Sequence, residues 1–119
     1  MKENILLEKS YKFALRIVNF CRYLNDERQE FVLSKQILVS GTSIAAQIEE
    51  AQQGENRADF LHQLSIANKH AFKTNFWLRL LHDSNYLSEK QFQSLLEDCE
   101  EIQKILVSTL KTTKKTLEK

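Results

Sequence analysis

The chain has 119 residues, with 17 basic and 16 acidic side chains, a formal net charge of +1, two glycines and no proline. The near-balance of charge excludes strong long-range attraction to nucleic acid or to anionic lipid. The shortage of proline and glycine disfavours folds that are rich in strands and turns. This length suits one domain that buries its own core, so we expect a single all-α domain over residues 1–119.

The first thirteen residues and the two cysteines both bear on the compartment. The N-terminal run MKENILLEKSYKF reaches Glu8 and Lys9 after only a short apolar stretch. This pattern fits neither a signal peptide nor a membrane span, so we expect a cytoplasmic protein without a membrane partner. Cys21 and Cys99 fall on predicted apolar helix faces, where isolated cysteines are usually small buried hydrophobes. We expect both to be reduced and structural.

Helix one is predicted at about residues 3–24, because apolar residues recur there at alternating spacings of four and three. Its core stripe is Leu6, Ser10, Phe13, Ile17, Phe20 and Leu24. A second, mostly apolar stripe lies beside it and consists of Leu7, Tyr11, Ala14, Val18 and Cys21. The apolar face is therefore wider than one bundle seam requires, and we expect it to cover a second partner.

Helix two is predicted at about residues 27–53. Asp26 is expected to cap it, with Gln29 in the capping-box position three residues later. Gly54 is expected to adopt the left-handed conformation that often ends a helix. Gly41 inside this helix costs about 1 kcal/mol relative to alanine, which predicts that another helix approaches it closely. The core stripe of helix two is Ile37, Gly41, Ile44, Ile48 and Ala51.

Helices three and four are predicted at about residues 57–84 and 89–115. Ser88 to Gln91 reads as a capping box that starts helix four. The core stripe of helix three is Phe60, Leu64, Ala67, Ala71, Thr74, Leu78 and Leu81. The core stripe of helix four is Phe92, Leu95, Cys99, Ile102, Leu106 and Leu110. Short connections between four such helices predict an antiparallel up-down-up-down four-helix bundle.

The search for chemistry yields no strong candidate. A metal-binding bundle needs carboxylates on all four helices and Glu-x-x-His pairs on two, and this chain offers only Asp59-x-x-His62 as an approximation. Two glycines 13 positions apart cannot build a phosphate-binding loop. Neither cysteine stands at a helix N-terminus, where its thiol would become reactive. We expect no cofactor, no bound metal and no enzymatic activity.

A polar stripe lies beside the core stripe of helix two. It consists of Gln36, Ser40, Ser43, Gln47 and Glu50. Helix three carries a matching flank, which consists of Asp59, Gln63, His70, Lys73 and Trp77, with Lys69 nearby. Hydrogen bonds and ion pairs between the two helices are the favoured interpretation. A partner-binding surface is the alternative.

Cations collect on helix one and at the end of helix four. The first set is Lys9, Lys12 and Arg16, and the second is Lys104, Lys111, Lys114, Lys115 and Lys119. In an antiparallel pair both sets lie toward the same end, where they could contact phosphates. The alternative, which we favour slightly, is an ordinary solvated face on which cations stabilise the C-terminus of a helix. Acidic residues lie among the cations and reduce the positive potential.

Helices two and three carry the motifs of a known family. The segments SGTSIAAQIEEAQ (40–52) and ADFLHQLSIANKHAFKTNFWLRLL (58–81) resemble the four-helix bundle family named after the 23S rRNA intervening-sequence protein, the S23 family. The sequence departs from the family pattern at Val39, where a basic residue is usual, at Gln47, which replaces Asn, and at His70 and Lys73, which replace commonly acidic residues. The motif residues that we take as candidates for a family interface are Ser43, Gln47, Glu50, Asp59, Lys69, Thr74 and Trp77.

The resemblance implies a bacterial, non-enzymatic bundle that assembles as a homopentamer. A related branch, the accessory proteins of diversity-generating retroelements, binds nucleic acid and a reverse transcriptase, and we do not transfer that role. The first hypothesis is therefore a homo-oligomeric accessory protein that binds RNA or DNA, with Lys9, Lys12, Arg16, Lys111, Lys114 and Lys115 as the candidate contacts. The alternative is a protein-protein interaction module that does not bind nucleic acid.

Overall fold

The computed structural model describes the backbone of residues 2–118 and the side chains of residues 5–116, so Met1 and Lys119 lie outside the described residues. This part of the chain forms four helices, α1 (Lys2–Arg28), α2 (Leu33–Ala51), α3 (Arg57–Asp83) and α4 (Glu89–Glu118), and contains no strand. Each helix packs against the helices before and after it, and α1 closes the bundle against α4. The predicted all-α, up-down-up-down four-helix bundle is confirmed, with dimensions of 51 × 22 × 20 Å.

The predicted core stripes meet along the axis of the bundle. Phe13, Ile17, Ile44 and Leu78 are among the fully buried side chains. The stripe residues of α1 and α2 are all buried, and those of α3 and α4 are buried apart from the half-buried Phe60 and Leu110. No helix within residues 2–118 is long and apolar enough to cross a membrane.

The junction between α1 and α2 differs from the prediction. The first helix continues through Asp26 to Arg28, and Gln29 then takes a positive φ of 55° that ends it. The start of α2 is therefore at Leu33 rather than at residue 27, and the predicted capping box of Asp26 and Gln29 is wrong. The Glu30 carboxylate instead accepts hydrogen bonds from the N–H groups of Val32, Leu33 and Ser34, at 3.2, 3.1 and 2.8 Å. A carboxylate at this position satisfies N–H groups that have no partner inside the helix.

The two glycines both allow close approaches. A Cβ atom on Gly41 would lie 2.9 Å from two carbon atoms of Ile17, so α1 packs directly against this point of α2. The prediction of a left-handed Gly54 is wrong, because neither glycine has a positive φ. A Cβ atom on Gly54 would instead lie 3.1 Å from the carbonyl oxygen of Ala51 and 3.2 Å from the nitrogen of Phe60. Crowding, rather than backbone handedness, favours glycine at both positions.

The connection between α3 and α4 follows local capping rules. Asn85, with a φ of 68°, ends α3, and the N–H groups of Asn85 and Tyr86 donate to the carbonyl oxygens of His82 and Leu81. This pair of bonds is the Schellman arrangement. The predicted capping box at Ser88 is present, because Ser88 and Gln91 each accept the backbone N–H of the other with their side chains.

The last helix extends beyond its predicted end. It continues to Glu118 rather than stopping at residue 115. Thr109 and Thr113 are both buried. Thr109 lies three residues after Leu106, and Thr113 lies four residues after Thr109. Two threonines therefore extend the core stripe of α4, and packing of this polar-looking segment accounts for the additional turn.

Candidate nucleic-acid and protein interfaces

Lys9 and Lys12 of α1 each form an ion pair with a nearby carboxylate. Lys12 forms an ion pair with Glu8 one turn away, at 2.9 Å, and this contact lowers the pKa of Glu8. Lys9 forms an ion pair with Glu101 on α4, which raises the pKa of Lys9. Neither lysine therefore offers an uncompensated charge to a phosphate.

Arg16 reaches across the same seam and joins α1 to α4. Its guanidinium forms an ion pair with Asp98 and donates a hydrogen bond to the hydroxyl of Ser94, at 2.8 Å. It also donates to the carbonyl oxygen of Ser94, at 3.3 Å. The N–H groups of the planar guanidinium are therefore bonded to acceptors of the same chain, and Arg16 joins α1 to α4.

The lysines near the end of α4 are arranged differently. Lys111, Lys114 and Lys115 are exposed, and none of them forms an ion pair with a side chain in residues 5–116. Lys104 is also exposed, and it shares one helix face with Lys111 and Lys115 because their spacings are seven and four residues. Because α1 and α4 are antiparallel, these lysines lie at the same end of the bundle as Lys9. The two predicted basic sets therefore lie at the same end of the bundle. Among the side chains of residues 5–116, Lys104, Lys111, Lys114 and Lys115 form no ion pair, whereas Lys9, Lys12 and Arg16 each do.

The polar stripes of α2 and α3 meet at the seam between these helices. The side chain of Gln47 donates to that of Gln63, and the hydroxyl of Thr74 donates to that of Ser40 at 2.9 Å. Thr74 is fully buried, so it belongs to the core of the bundle rather than to an open surface. Ser43 is half-buried near the same seam. The hydrogen bonds of the structural interpretation are present for Gln47 and Thr74, whereas the described side chains form no ion pair between α2 and α3.

Asp59 has a local role at the start of α3. Its N–H donates to the side chain of Asn56 at 2.9 Å, and its carboxylate accepts from the N–H of Glu55 at 3.2 Å. The described residues contain no group of three or more His, Cys, Asp and Glu side chains placed to hold a metal ion. Asp59 therefore acts as part of the cap that starts α3.

An apolar groove is open to solvent on the outer side of α2 and α3. Phe72 is 64% exposed, Val39 57% and Phe76 46%, although all three are large apolar side chains. We call this groove the α2–α3 surface, and it is lined by Gln36, Val39, Ser40, His70, Phe72, Lys73, Phe76 and Trp77. A sequence signal for this surface exists in helix three, where the apolar residues between Phe72 and Leu81 stand on more sides than one core stripe requires.

The electrostatics of the α2–α3 surface are cationic. Burial and the neighbouring Lys73 lower the pKa of His70 from its ordinary value of 6.5, so this imidazole is neutral at pH 7. Lys73 lines the groove and Lys69 lies one turn before it, and both are exposed. The charge of the surface at neutral pH therefore comes from lysines.

A second groove lies between α1 and α2, toward the other end of the bundle. It is lined by Leu7, Ala46, Glu49, Glu50, Gln52 and Gln53. Tyr11 and Leu15 follow Leu7 by one and two helical turns, and they are 57% and 51% exposed. We call these eight residues the α1–α2 surface. The second apolar stripe of helix one, which the sequence predicts to cover a partner, supplies Leu7 and Tyr11.

Comparisons with known proteins identify the relatives of this bundle. A family model described as 23S rRNA-intervening sequence protein matches residues 2–108. A crystal structure from Bacteroides thetaiotaomicron VPI-5482, described as a protein with unknown function from the S23 ribosomal protein family, is 50% identical and has a TM-score of 0.92. The alignment covers 93% of this chain and 99% of that chain.

A comparison with curated proteins gave no significant match. Neither the family description nor that of the crystal structure names a catalytic activity. The family model covers well over half of the chain, and the motifs in α2 and α3 had indicated the same relationship. The chain belongs to the 23S rRNA-intervening sequence protein family.

Proposed function

We propose that this chain is a non-enzymatic, homo-oligomeric accessory protein of the bacterial cytoplasm that binds structured RNA with the C-terminal half of α4. The observation that carries the proposal is the contrast between two basic sets. The α1 cations Lys9, Lys12 and Arg16 are each paired with an acid, whereas Lys111, Lys114 and Lys115 are exposed without one among the described side chains. A lysine that neutralises a phosphate releases a counterion and so adds affinity. An acid already paired with the lysine competes with the phosphate for its charge.

The names of the relatives support RNA as the nucleic acid in this proposal. The family description refers to 23S rRNA, and the related crystal structure is assigned to a ribosomal protein family. A net charge of +1 supports a local contact rather than a long-range field. Homo-oligomerisation, expected as a pentamer from the resemblance, places several copies of the lysine cluster in one particle and so multiplies a weak contact.

The test is a comparison of two lysine variants in RNA binding. A structured ribosomal RNA fragment is titrated with protein at 50 and 200 mM salt, and binding is followed by fluorescence anisotropy. The variant Lys111→Ala, Lys114→Ala, Lys115→Ala should bind more weakly, and the slope of log affinity against log salt should fall by about one for each lysine. The control Lys9→Ala, Lys12→Ala, which removes paired lysines, should bind like the wild type. Equal binding by all three proteins would contradict the proposal.

A second candidate function is a protein-protein interaction module without nucleic-acid binding. The exposed aromatic groove of the α2–α3 surface favours it, because exposed apolar patches mark interaction sites. Recovery of a protein partner after nuclease treatment, together with no measurable RNA binding at 50 mM salt, would support this alternative over the first.

A further inference from the structure

We propose that the C-terminal half of α4 binds the backbone of an RNA double helix and selects RNA over DNA with Thr112 and Thr116, which accept hydrogen bonds from 2′-hydroxyl groups. The inference rests on the proposed binding of RNA by α4, and it names the form of the RNA and the residues that recognise it. It does not depend on the oligomeric state of the chain.

The lysines of this helix supply affinity but do not distinguish the two nucleic acids. Lys104, Lys111 and Lys115 are exposed and share one face of α4. An ammonium group donates hydrogen bonds to phosphate oxygens, and the phosphates of RNA and DNA are the same. A preference for RNA therefore requires another group on this face, one that contacts the 2′-hydroxyl.

Two exposed threonines lie beside the lysines. Thr112 is three residues before Lys115 and four before Thr116, so it neighbours both on the surface of the helix. Lys104, Lys111 and Thr112 also line one shallow groove on this face. The ammonium groups and the threonine hydroxyls are therefore within reach of the same ligand.

The protons of these two hydroxyl groups are already used inside the helix. The hydroxyl of Thr112 donates to the carbonyl oxygen of Ser108 at 3.0 Å, and that of Thr116 donates to the carbonyl oxygen of Thr112 at 3.0 Å. Each hydroxyl oxygen keeps a lone pair, so toward a ligand it acts as an acceptor. A backbone phosphate is ionised and has no proton to donate, whereas a 2′-hydroxyl has one. The threonines therefore suit a ribose rather than a phosphate.

The composition and position of this segment favour a double helix over a single strand. Residues 103–118 contain no aromatic side chain and no arginine, and single strands are held largely by stacking of their bases on such side chains. Because α4 packs against both α1 and α3, it presents a convex outer face, which does not fit the deep and narrow major groove of an RNA helix. The wide, shallow minor groove instead displays 2′-hydroxyls close to the phosphates.

Acidic residues limit the contact to one half of the helix. Glu97 and Glu100 lie seven and four residues before Lys104, on the same face of α4, and both are exposed. Their negative charge opposes the approach of phosphates. We therefore expect the RNA to contact α4 from Lys104 to Lys115, a length of about 16 Å along the helix.

The test compares four nucleic acids by fluorescence anisotropy at low salt. They are a short RNA duplex, a DNA duplex of the same sequence, one single strand of the RNA, and the RNA duplex with a 2′-fluoro group in place of every 2′-hydroxyl. The 2′-fluoro duplex keeps the phosphates and the A-form shape but has no 2′-O–H donor. The wild type should bind the RNA duplex more tightly than each of the other three, and about fivefold more tightly than the 2′-fluoro duplex, as expected for the loss of a hydrogen bond.

Variants of α4 separate the role of the hydroxyls from that of the charges. Thr112→Val with Thr116→Val keeps the shape of both side chains, and it should bind the RNA duplex about fivefold more weakly than the wild type but the 2′-fluoro duplex equally well. Thr112→Ser with Thr116→Ser retains the hydroxyls and should bind like the wild type. Lys111→Ala, Lys114→Ala, Lys115→Ala should lose affinity for the RNA duplex and the 2′-fluoro duplex by the same factor. Unchanged binding of the 2′-fluoro duplex by the valine variant, with an unchanged circular dichroism spectrum, shows that its α4 is intact.

The outcomes that contradict the inference differ from those that contradict the proposed function. Equal affinity of the wild type for the RNA duplex and the 2′-fluoro duplex, or for the RNA duplex and the DNA duplex, would overturn the inference while binding by the lysines stands. A valine variant that still prefers the RNA duplex to the 2′-fluoro duplex would show that other residues recognise the ribose. Tighter binding of the single strand than of the duplex would exclude a double helix as the ligand. Failure of the wild type to bind any RNA would remove the proposed function together with the inference.

Discussion

Gly41 shows how a single missing side chain sets the distance between two helices. Ile17, which is fully buried, occupies the space where a Cβ atom on Gly41 would lie, at 2.9 Å. Other residues of this helix face, such as Ser40 and Ala45, pack with a side chain present. The position therefore opposes a general preference, since alanine is normally about 1 kcal/mol better than glycine inside a helix.

The first prediction is that Gly41→Ala destabilises the protein. Overpacking against Ile17 costs about 1–3 kcal/mol, which exceeds the gain in helix propensity of about 1 kcal/mol. Urea unfolding of the wild type and the variant measures the net loss. In the background of Ile17→Ala, which removes the obstructing carbon atoms, the same change should become stabilising, because the two sites are in direct contact. A stabilising effect in the wild-type background would contradict the packing that we describe.

The acidity of the Cys99 thiol also depends on how the side chain is packed. It is fully buried, its thiol lies 3.6 Å from the carbonyl oxygen of Ala71, and burial raises its pKa to about 12. Burial also raises the pKa of Cys21 to about 11. Both are free thiols, and neither is prepared to act as a nucleophile.

The second prediction concerns stability at alkaline pH. The thiol of Cys99 ionises near its ordinary value of 9.0 in the unfolded chain but only near 12 in the folded one. The folded state therefore binds the proton more tightly, so stability is complete below pH 9 and falls as the pH rises toward 12. The stability of the wild type relative to Cys99→Ala should fall by about 1.4 kcal/mol between pH 8 and pH 10. Parallel stability curves would show that burial does not perturb this thiol.

At the scale of the elements, the junction between α1 and α2 shows how packing moves the end of a helix. Asp26 and Gln29 have the composition of a capping box, yet α1 continues through Asp26, and Glu30 provides the cap of α2. The last turns of α1 bury Leu24, and Arg28 stacks on the ring of Tyr86, 5.0 Å from its centroid, and donates to the carbonyl oxygen of Asn85 at 2.8 Å. Packing against the α3–α4 connection therefore overrides the local signal.

The third prediction tests this cap. Glu30→Ala leaves three N–H groups at the start of α2 without their acceptor and should destabilise the protein by about 1–2 kcal/mol in urea unfolding. The matched control is Glu27→Ala, which removes an exposed acid from the last turn of α1. It should be neutral or slightly stabilising, because acids near a helix C-terminus are unfavourable. Equal effects of the two changes would exclude the capping role.

At the scale of the whole molecule, the bundle is elongated, and the α2–α3 surface and the α1–α2 surface lie on adjacent sides. A single copy has a Cα radius of gyration of 15.0 Å and a long axis of 51 Å. Side-by-side association of such bodies must increase the radius of gyration, because mass is added away from the axis of each bundle. Small-angle scattering is therefore a direct probe of the assembled state.

The fourth prediction is that small-angle scattering at micromolar concentration gives a radius of gyration well above 15.0 Å, which then falls toward that value on dilution. A concentration-independent value near 15 Å for the wild type would show that the chain acts as a monomer.

The amino-acid sequence by itself determined the fold class, the number of helices and the core. Periodicity marks the buried positions because each helix must bury one face, and this holds wherever the neighbouring helices lie. Ile44 and Leu78 are examples, and the capping box at Ser88 follows equally local rules. The motifs in α2 and α3 were specific enough to indicate the family before any comparison.

Only the tertiary structure decided which polar and apolar residues remain available to a partner. Lys9 and Lys111 look alike in the sequence, but an acid on a distant segment neutralises the first, and no described side chain neutralises the second. Ser40 and Phe72 both differ from what their polarity suggests, since the serine is buried and the phenylalanine is 64% exposed. Ion pairing and burial depend on which residues of the neighbouring helix lie across the seam. The spacing of residues along one helix does not show which residues those are.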